Sequence, residues 1–504
     1  MLSHFSRIHL MTSMSSKSLD RRLGLMGLAA TGICSMMGAS IYVIPFMIQR
    51  NVPGIGPYVL PAFLLAAIPA ALAAFAYAIL ASAMPRAGGS YVYASRALGP
   101  YFGFVASFSQ WFGLSIAIGV VAYLVVPFFR DVATLLDLNH LADVLDRGVV
   151  RVAVALVILW AFVWLNIRGV RLYERIVIPL MILMFLLGGV VIVAGLSFNH
   201  QDFAAAILHK ENRTLVQRGI AFHWSTLAAG SAVLFSSFIG FDSIAQAGGE
   251  AKNPSRSLPR AIGIAIIAVT LFYVVFTFSV YHTVPWSFVA EQARAEDVTA
   301  PGLLGYVLSS GWAVPIVFGA SIALLNDLPA MILSVSRLMF AWAEDGIFPG
   351  PIASIHPTHH TPYLAIILSG FMATIGVLGS HFAGDFFLGI DIMVTSMLFN
   401  YLLMCVSVLL LPRTNPEIAA KITVVRSLTL QRLLAVAGIF CLSLLLIVHI
   451  ISDLGTTVTT WYFHSTVPWI LVMLIASVIF LYYWRKLRAS GVDTTERFSK
   501  LPQG

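Results

Sequence analysis

Gly32-Ile33-Cys34-Ser35-Met36-Met37-Gly38-Ala39-Ser40-Ile41 lies in the middle of the first long apolar stretch of the chain, and Ser236-Ser237-Phe238-Ile239-Gly240-Phe241-Asp242 lies in the middle of the sixth. Both crowd small and turn-forming residues into what otherwise reads as a membrane-crossing helix. An unpaired backbone N–H or C=O finds no water in hydrocarbon. A helix can break there only where protein covers the break or where it lines a cavity. Two breaks in corresponding places therefore point to a buried substrate site near the bilayer midplane, the pattern of a membrane transporter.

The rest of the chain agrees with that setting. Of 504 residues, 59% are hydrophobic and only 10% charged, where a soluble protein carries about 25% charged residues. A bilayer core needs about 20 apolar residues per helix. Runs free of Asp, Glu, Lys and Arg over 23–48, 56–83, 97–129, 176–199, 261–290 and 454–484 meet that length. A membrane barrel would alternate apolar and polar residues instead. The reading is an all-α membrane protein of twelve transmembrane helices, over 23–49, 55–84, 98–128, 149–168, 174–197, 220–248, 259–283, 311–342, 362–380, 385–411, 432–452 and 465–486.

The formal net charge is +8, and its placement argues against nucleic acid as a partner. Lys and Arg fall mainly in every second loop. Arg21, Arg22, Arg86, Arg96, Arg168, Arg175, Arg256, Arg413, Lys421 and Arg485 fall on one side, against Arg147, Arg151, Lys210, Arg213 and Arg294 on the other. This is the positive-inside pattern rather than a phosphate-binding patch. It puts both termini in the cytoplasm of a cell (plasma or bacterial inner) membrane. Cys34, Cys405 and Cys441 fall in spans, without disulfide or metal spacing, and read as small apolar residues. Residues 1–22 read as a cytoplasmic tail without a signal-peptide pattern. Residues 23–411 form the expected ten-helix transport core, 412–486 two additional helices and 487–504 a short cytoplasmic tail. No appended soluble domain and no cofactor is expected.

Breaks in the first and sixth spans suggest two five-helix repeats of inverted topology, with the broken helices set against each other. Specific motifs strengthen this. Gly240-Phe241-Asp242-Ser243-Ile244, then Gly249-Glu250-Ala251-Lys252-Asn253-Pro254-Ser255-Arg256-Ser257-Leu258-Pro259-Arg260, closely resembles the amino acid/polyamine/organocation permease superfamily. So do Met84-Pro85-Arg86-Ala87-Gly88-Gly89-Ser90-Tyr91 and Ser336-Arg337-Leu338-Met339-Phe340 with Asp345-Gly346. Met37-Gly38-Ala39-Ser40-Ile41-Tyr42 is similar to that superfamily's Gly-small-Gly-Ile-Phe signature, with Ser40 and Tyr42 in place of its second Gly and Phe. The resemblance runs in order from roughly residue 20 to residue 450. It implies a LeuT-type 5+5 fold and secondary transport of amino acids or amines.

At the first break, Met37, Gly38, Ala39, Ser40 and Ile41 are candidate substrate contacts. An outer half-helix starting here has free N–H groups and a positive dipole end, a seat for a carboxylate; the plainer reading is small residues for close helix packing. At the second break, Phe235, Ser236, Ser237, Phe238, Ile239 and Gly240 present carbonyls to an ammonium group. The rings of Phe235 and Phe238 offer cation–π attraction or simple packing. Some relatives carry a Trp gate where Ser236 stands, so an aromatic cover here falls to Phe235, Phe238 or Trp111. The third span adds Trp111 and Gly113, and the eighth Asn326 and Asp327.

Two acids are candidates for coupling. Asp242, just past the second break, reads either as a proton relay, since a carboxylate at membrane depth is costly and by default functional, or as the N-cap of the inner half-helix. Asp327 is expected near mid-membrane in the eighth span, about ten residues or ~15 Å of helix from Arg337. It binds a proton, binds a second positive charge on the substrate, or joins Asn326 in structural hydrogen bonds. The fifth span has no Lys, with Met184 where some proton-coupled relatives place one. Ser334 and Ser336 are the hydroxyls on hand for a sodium site, and substrate exchange needs no coupling residue. His356, His359 and His360 cluster in a loop without a completing ligand for metal. The turn 85–90 lacks the Lys-Ser/Thr ending of a phosphate cradle. The 250–260 loop and the Arg337/Asp345 end are expected on the cytoplasmic face, as ion pairs that hold an inner gate shut or as exposed pairs contributing only ~0–1 kcal/mol each.

The function these residues imply is secondary transport of a small amino acid or amine by alternating access, with protons as a candidate coupling ion. The alternatives are a polyamine or organocation transporter and a non-transporting amino acid sensor on the same fold. No nucleophile–base pair or metal motif marks an enzyme.

Overall fold

In hydrocarbon each backbone polar group must pair within its own segment, and the apolar stretches of this chain accordingly wind into helices. A computed structural model describes residues 19–38, 40–215, 219–295, 298–308, 310–383, 387–457 and 463–502. Within it, 12 helices or helix pairs are long and apolar enough to cross a membrane. They are Leu25–Asn51, Gly56–Ala83, Pro100–Leu135, Gly148–Ile167, Val170–Ser197, Trp224–Gln246, Pro254–Thr283, Val314–Glu344, Tyr363–Phe382, Leu388–Thr414, Leu428–Gly455 and Thr466–Ala489. The chain is a multi-pass, all-helical membrane protein with the LeuT-type arrangement.

Several spans run longer than the sequence reading, the third, seventh and eleventh most of all. The seventh begins at Pro254, with Asn253 in the left-handed region at φ 46° just before it; proline suits a first helical position, where its missing N–H costs nothing. Pro259 is carried inside the helix one turn further on. The third continues through Pro127 to Leu135, well past the bilayer length of about 20 residues.

The first span is a helix over Leu25–Met36 and a second over Ser40–Asn51. Met37 still donates to Ile33 at 2.8 Å, and Tyr273 from the seventh span donates its hydroxyl to the Met36 carbonyl at 2.5 Å. That bond satisfies one of the carbonyls a helix end leaves open. The sixth span runs as a helix to Phe235, tightens into a 3-10 turn over Ser236–Phe238, and becomes extended at Ile239. Gly240 follows at φ 133°, a conformation L side chains rarely adopt. A short helix then covers Ser243–Gln246.

The two breaks meet. Gly240 lies so close on the Ser35 carbonyl that a Cβ would collide with it, and Gly32 receives the side chain of Ile244. Ser35 and Ser243 share a hydroxyl–hydroxyl hydrogen bond of 3.0 Å. Around this pair the third span packs along the eighth, ninth and tenth, while the seventh packs along the second, the fifth and the first half of the first. The eleventh span lies against the tenth and the twelfth against the third.

One end of the bundle is sealed by buried ion pairs. Arg337 grips Glu250 through Nη2 at 2.5 Å and Nε at 3.2 Å, with both side chains 1% exposed. Arg96 pairs with Asp345 through both Nη atoms, the longer contact being 3.1 Å, and Tyr91 adds a hydroxyl donor to Asp345 at 2.8 Å. These pairs are desolvated, so the small contribution expected of exposed pairs does not apply. Removing one partner of a buried pair costs about 3–5 kcal/mol.

The chain after the twelfth span returns to this same end. Its short helix Thr494–Ser499 brings Phe498, 7% exposed, against Trp484 and beneath the Arg96 guanidinium at 5.2 Å. Arg96 Nε donates to the Lys500 carbonyl at 3.0 Å, Arg86 to that of Pro502 at 2.9 Å and Asn415 to that of Ser499 at 2.9 Å. Arg497 in turn donates to the Glu344 carbonyl at 2.9 Å.

Candidate functional site

A cavity of about 470 Å³ begins at the two breaks. Its floor is built from Ser35, Met36 and Gly38 of the first span, Ser236 and Ile239 of the sixth, and Leu324, Asp327 and Met331 of the eighth. Leu114, Ala117, Val121, Leu124 and Phe128 line one wall. They recur every three to four residues along one face of the third span. The mouth carries Tyr123, Arg130, Asp131, Arg151, His381 and Thr299, where the Arg130 and Asp131 side chains are 38% and 46% exposed. The opposite end is the one closed by Glu250–Arg337 and Arg96–Asp345. The cavity thus opens one way.

Asp327 dominates the floor. It is 7% exposed, and among the described residues its Oδ1 has no hydrogen-bond partner. Its Oδ2 lies against Gly38, so that a side chain at position 38 would strike the carboxylate. An acid therefore already occupies the neighbourhood of the first break that the sequence reserved for a substrate carboxylate. Its neighbour Asn326 turns away from the cavity and donates to Cys34 Sγ at 2.8 Å. Cys34 is thus a hydrogen-bond partner and not only a small apolar filler.

Asp242 is placed differently. It is fully buried, outside the cavity lining, and makes no side-chain cap on the helix it precedes. Its carboxylate faces the other way, accepting from Tyr401 at 2.6 Å and from Gln110 Nε2. Asn400 holds Gln110 Oε1 at 3.0 Å and the Tyr77 hydroxyl at 2.8 Å. Tyr77 contacts Ser90 at 2.6 Å, and Gln246 donates to Ser90 at 2.6 Å. The N-cap reading fails because this chain of polar groups from the second, third and tenth spans claims the carboxylate.

Of the other sequence candidates, Gly38, Ser236 and Ile239 line the cavity with Asp327. Met37 and Ile41 are buried beside it. Phe235 packs on Tyr401, and Phe238 on Phe63 and Tyr273. Trp111 donates to Ser369 at 3.3 Å and packs on Phe108 and Trp342. Gly113 abuts Ser396 and Met393. Ser237 is buried with its hydroxyl unpartnered among the described residues. Gly240 serves the crossing of the two breaks. Ala39 and the side chain of Ser40 lie outside the described residues. Met184 is buried in the fifth span. Ser336 is engaged by the Ile332 carbonyl at 2.8 Å and by Arg337, while the buried Ser334 hydroxyl has no partner among the described residues. His356 Nδ1 accepts from the backbone N–H groups of Thr358 and His359. Among the described residues no group of three or more His, Cys, Asp or Glu is placed to hold a metal.

Sequence reasoning missed Ser35, Met36 and Met331 on the floor, and Tyr123 and Arg151 at the mouth. The spacing 114, 117, 121, 124, 128 was the available signal for the third-span wall. Nothing local to Arg151 or Tyr123 announces that these residues of the third and fourth spans share a cavity.

Two interrupted spans around a charged cavity, open at one end and latched at the other, define a permease of the LeuT-type class. The chain belongs to the amino acid permease family, whose model matches residues 23–484, within the amino acid/polyamine/organocation superfamily. It is 28% identical over 260 residues to the branched-chain amino acid permease BcaP of Bacillus subtilis, covering 51% of this chain and 50% of that protein. It is 30% identical over 239 residues to the human cationic amino acid transporter 4, covering 47% and 34%. The methylthioribose transporter of Bacillus subtilis matches at 28% over 196 residues, covering 38% and 40%. The matched stretches span half or less of each of these relatives. All three are transporters by name rather than enzymes.

Proposed function

We propose that the chain is a secondary active transporter that moves amino acids across a cell membrane by alternating access. The observation that carries this reading is the one-ended cavity, whose floor joins both helix breaks to Asp327, its Oδ1 without a partner among the described residues. The positive-inside pattern assigns the latched end to the cytoplasm, so the arrangement corresponds to an outward-open state. Opening inward requires Glu250–Arg337 and Arg96–Asp345 to part while the two breaks close over the substrate.

The substrate ammonium sits between Asp327 Oδ1 and the second break, and its carboxylate on the outer half-helix of the first. Asp327 leans the specificity toward positively charged substrates, since a zwitterion pairs one charge there and leaves its carboxylate close to a second anion. A like pair 4 Å apart repels by about 4 kcal/mol at an effective dielectric of 20. A basic amino acid, or an amine without a carboxylate, relieves that repulsion, and a proton on Asp327 relieves it too. Asp327 is therefore the better coupling candidate, because it faces the cavity and Asp242 does not.

Uptake into liposomes containing the purified protein tests the reading, with labelled neutral and basic amino acids and polyamines, with and without a pH gradient. Asp327→Asn removes a charged hydrogen-bond partner, typically 1.5–3 kcal/mol, and is expected to weaken uptake of cationic substrates roughly 10–100-fold. It is also expected to abolish the effect of the pH gradient. Uptake that is indifferent to this substitution defeats the assignment of Asp327, and no uptake of any probe defeats transport.

A further inference from the structure

Among the described residues, four carboxylate or guanidinium side chains line the cavity: Arg130, Asp131, Arg151 and Asp327. Arg130 is engaged where it stands by two carboxylates, Asp131 at 2.8 Å and Asp146 at 2.9 Å. Arg151 and Asp327 are not. Among the described residues neither has an ion-pair or hydrogen-bond partner, and Arg151 Nε and Asp327 Oδ1 are both buried without one. One unpaired cation thus stands at the mouth and one unpaired anion at the floor.

We propose that Arg151 is an outer capture point for the substrate carboxylate, from which a zwitterion passes inward amine end first toward Asp327. The proposal rests on the transport reading above and adds a second binding position to it. Arg151 is prepared for the task. Its guanidinium lies 3.9 Å from the centre of the Tyr123 ring, and the Tyr123 hydroxyl is held by His381 Nδ1 at 3.1 Å. A guanidinium stacked on an aromatic face gives up little freedom when it accepts a ligand. Its fork matches a carboxylate with two parallel charge-assisted hydrogen bonds. The apolar walls formed by Leu114, Ala117 and Val121 between mouth and floor focus the field of the two charges along the cavity. Of the groups left unpaired, Asp327 draws an ammonium down and Arg151 holds a carboxylate back. Release from Arg151 then needs only the gain of Asp327 and the two breaks.

The test separates carboxylate recognition from structure by pairing each probe with its decarboxylated form: L-arginine with agmatine, and L-leucine with isopentylamine. Equilibrium binding to the purified full chain and uptake in liposomes are measured for the unchanged protein, Arg151→Gln and Arg151→Lys. Arg151→Gln is expected to raise the KM of the amino acids about tenfold, the loss of one charge-assisted contact, with kcat within about twofold and both amines unaffected. Arg151→Lys is expected to recover part of the loss, since it keeps the charge and forfeits the fork. Equal effects on acid and amine, or none on either, overturn the proposal. Binding that depends on Arg151 without uptake leaves the capture point standing and removes the transport reading. Failure of all four probes to bind the unchanged protein overturns both.

Discussion

Asp327 and Asp242 bear the same functional group within the same bundle and stand in opposite circumstances. Asp242 is held by Tyr401 and Gln110, so its carboxylate is a fixed part of the packing between spans. Asp327 faces a cavity, and its Oδ1 has no hydrogen-bond partner among the described residues. The sequence marks both as costly acids in apolar helices and cannot tell them apart, because the difference lies in residues from distant spans. Tyr42 is a smaller case of the same kind. It replaces the Phe usual to the superfamily signature, is 1% exposed and packs edge-on against Phe276, yet its hydroxyl has no partner among the described residues. A buried unsatisfied hydroxyl costs about 1–3 kcal/mol. Tyr42→Phe is therefore expected to raise stability by ~1 kcal/mol and keep uptake unchanged, read by thermal unfolding in detergent alongside liposome transport. A lower melting temperature would mean that the hydroxyl is satisfied after all.

At the scale of elements, the two breaks carry the fold, and their positions were legible because Gly, Ser and Asp are crowded into otherwise apolar helices. Their geometry was not legible. The first break is a brief interruption at Met37 and Gly38, whereas the second consumes a 3-10 turn, an extended residue and a left-handed glycine. Gly240 is the pivot. Its φ of 133° and its seat on the Ser35 carbonyl both exclude a side chain. Gly240→Ala is expected to cost at least the 1–3 kcal/mol of such backbone strain and to abolish uptake. Its readout is the yield of monodisperse protein together with transport. Near-normal behaviour of both would show that the crossing relaxes freely. The aromatic residues Phe235, Phe238 and Trp111 illustrate a limit of element-level reasoning. Their spacing suits a lid over the site, but each is packed against a neighbouring span, which the period of one helix cannot reveal.

Across the whole molecule, twelve spans and their order followed from hydropathy alone, and the boundaries moved most at the third, seventh and eleventh spans, which run well past the bilayer length. The latched end was legible as a set of charged motifs but not as a buried one. Glu250→Gln leaves Arg337 buried without its counter-charge, a loss of about 3–5 kcal/mol, and is expected to shift the protein toward the inward-open form. That shift is read as faster labelling of a cysteine introduced at the buried Ala251, in a chain with Cys34, Cys405 and Cys441 replaced. Exchanging the two charges, Glu250→Arg with Arg337→Glu, is expected to slow labelling again. If the single change leaves labelling as it was, the pair is packing and no latch.

The segment that folds back beneath the latched end has a practical corollary. Its carbonyls at Ser499, Lys500 and Pro502 hold Asn415, Arg96 and Arg86, so any cargo attached just downstream hangs from the doorframe. A fluorescent protein or purification handle fused there would load that frame mechanically, and so would one fused directly ahead of Leu19, because Leu23 exchanges backbone hydrogen bonds with Glu250 and Lys252.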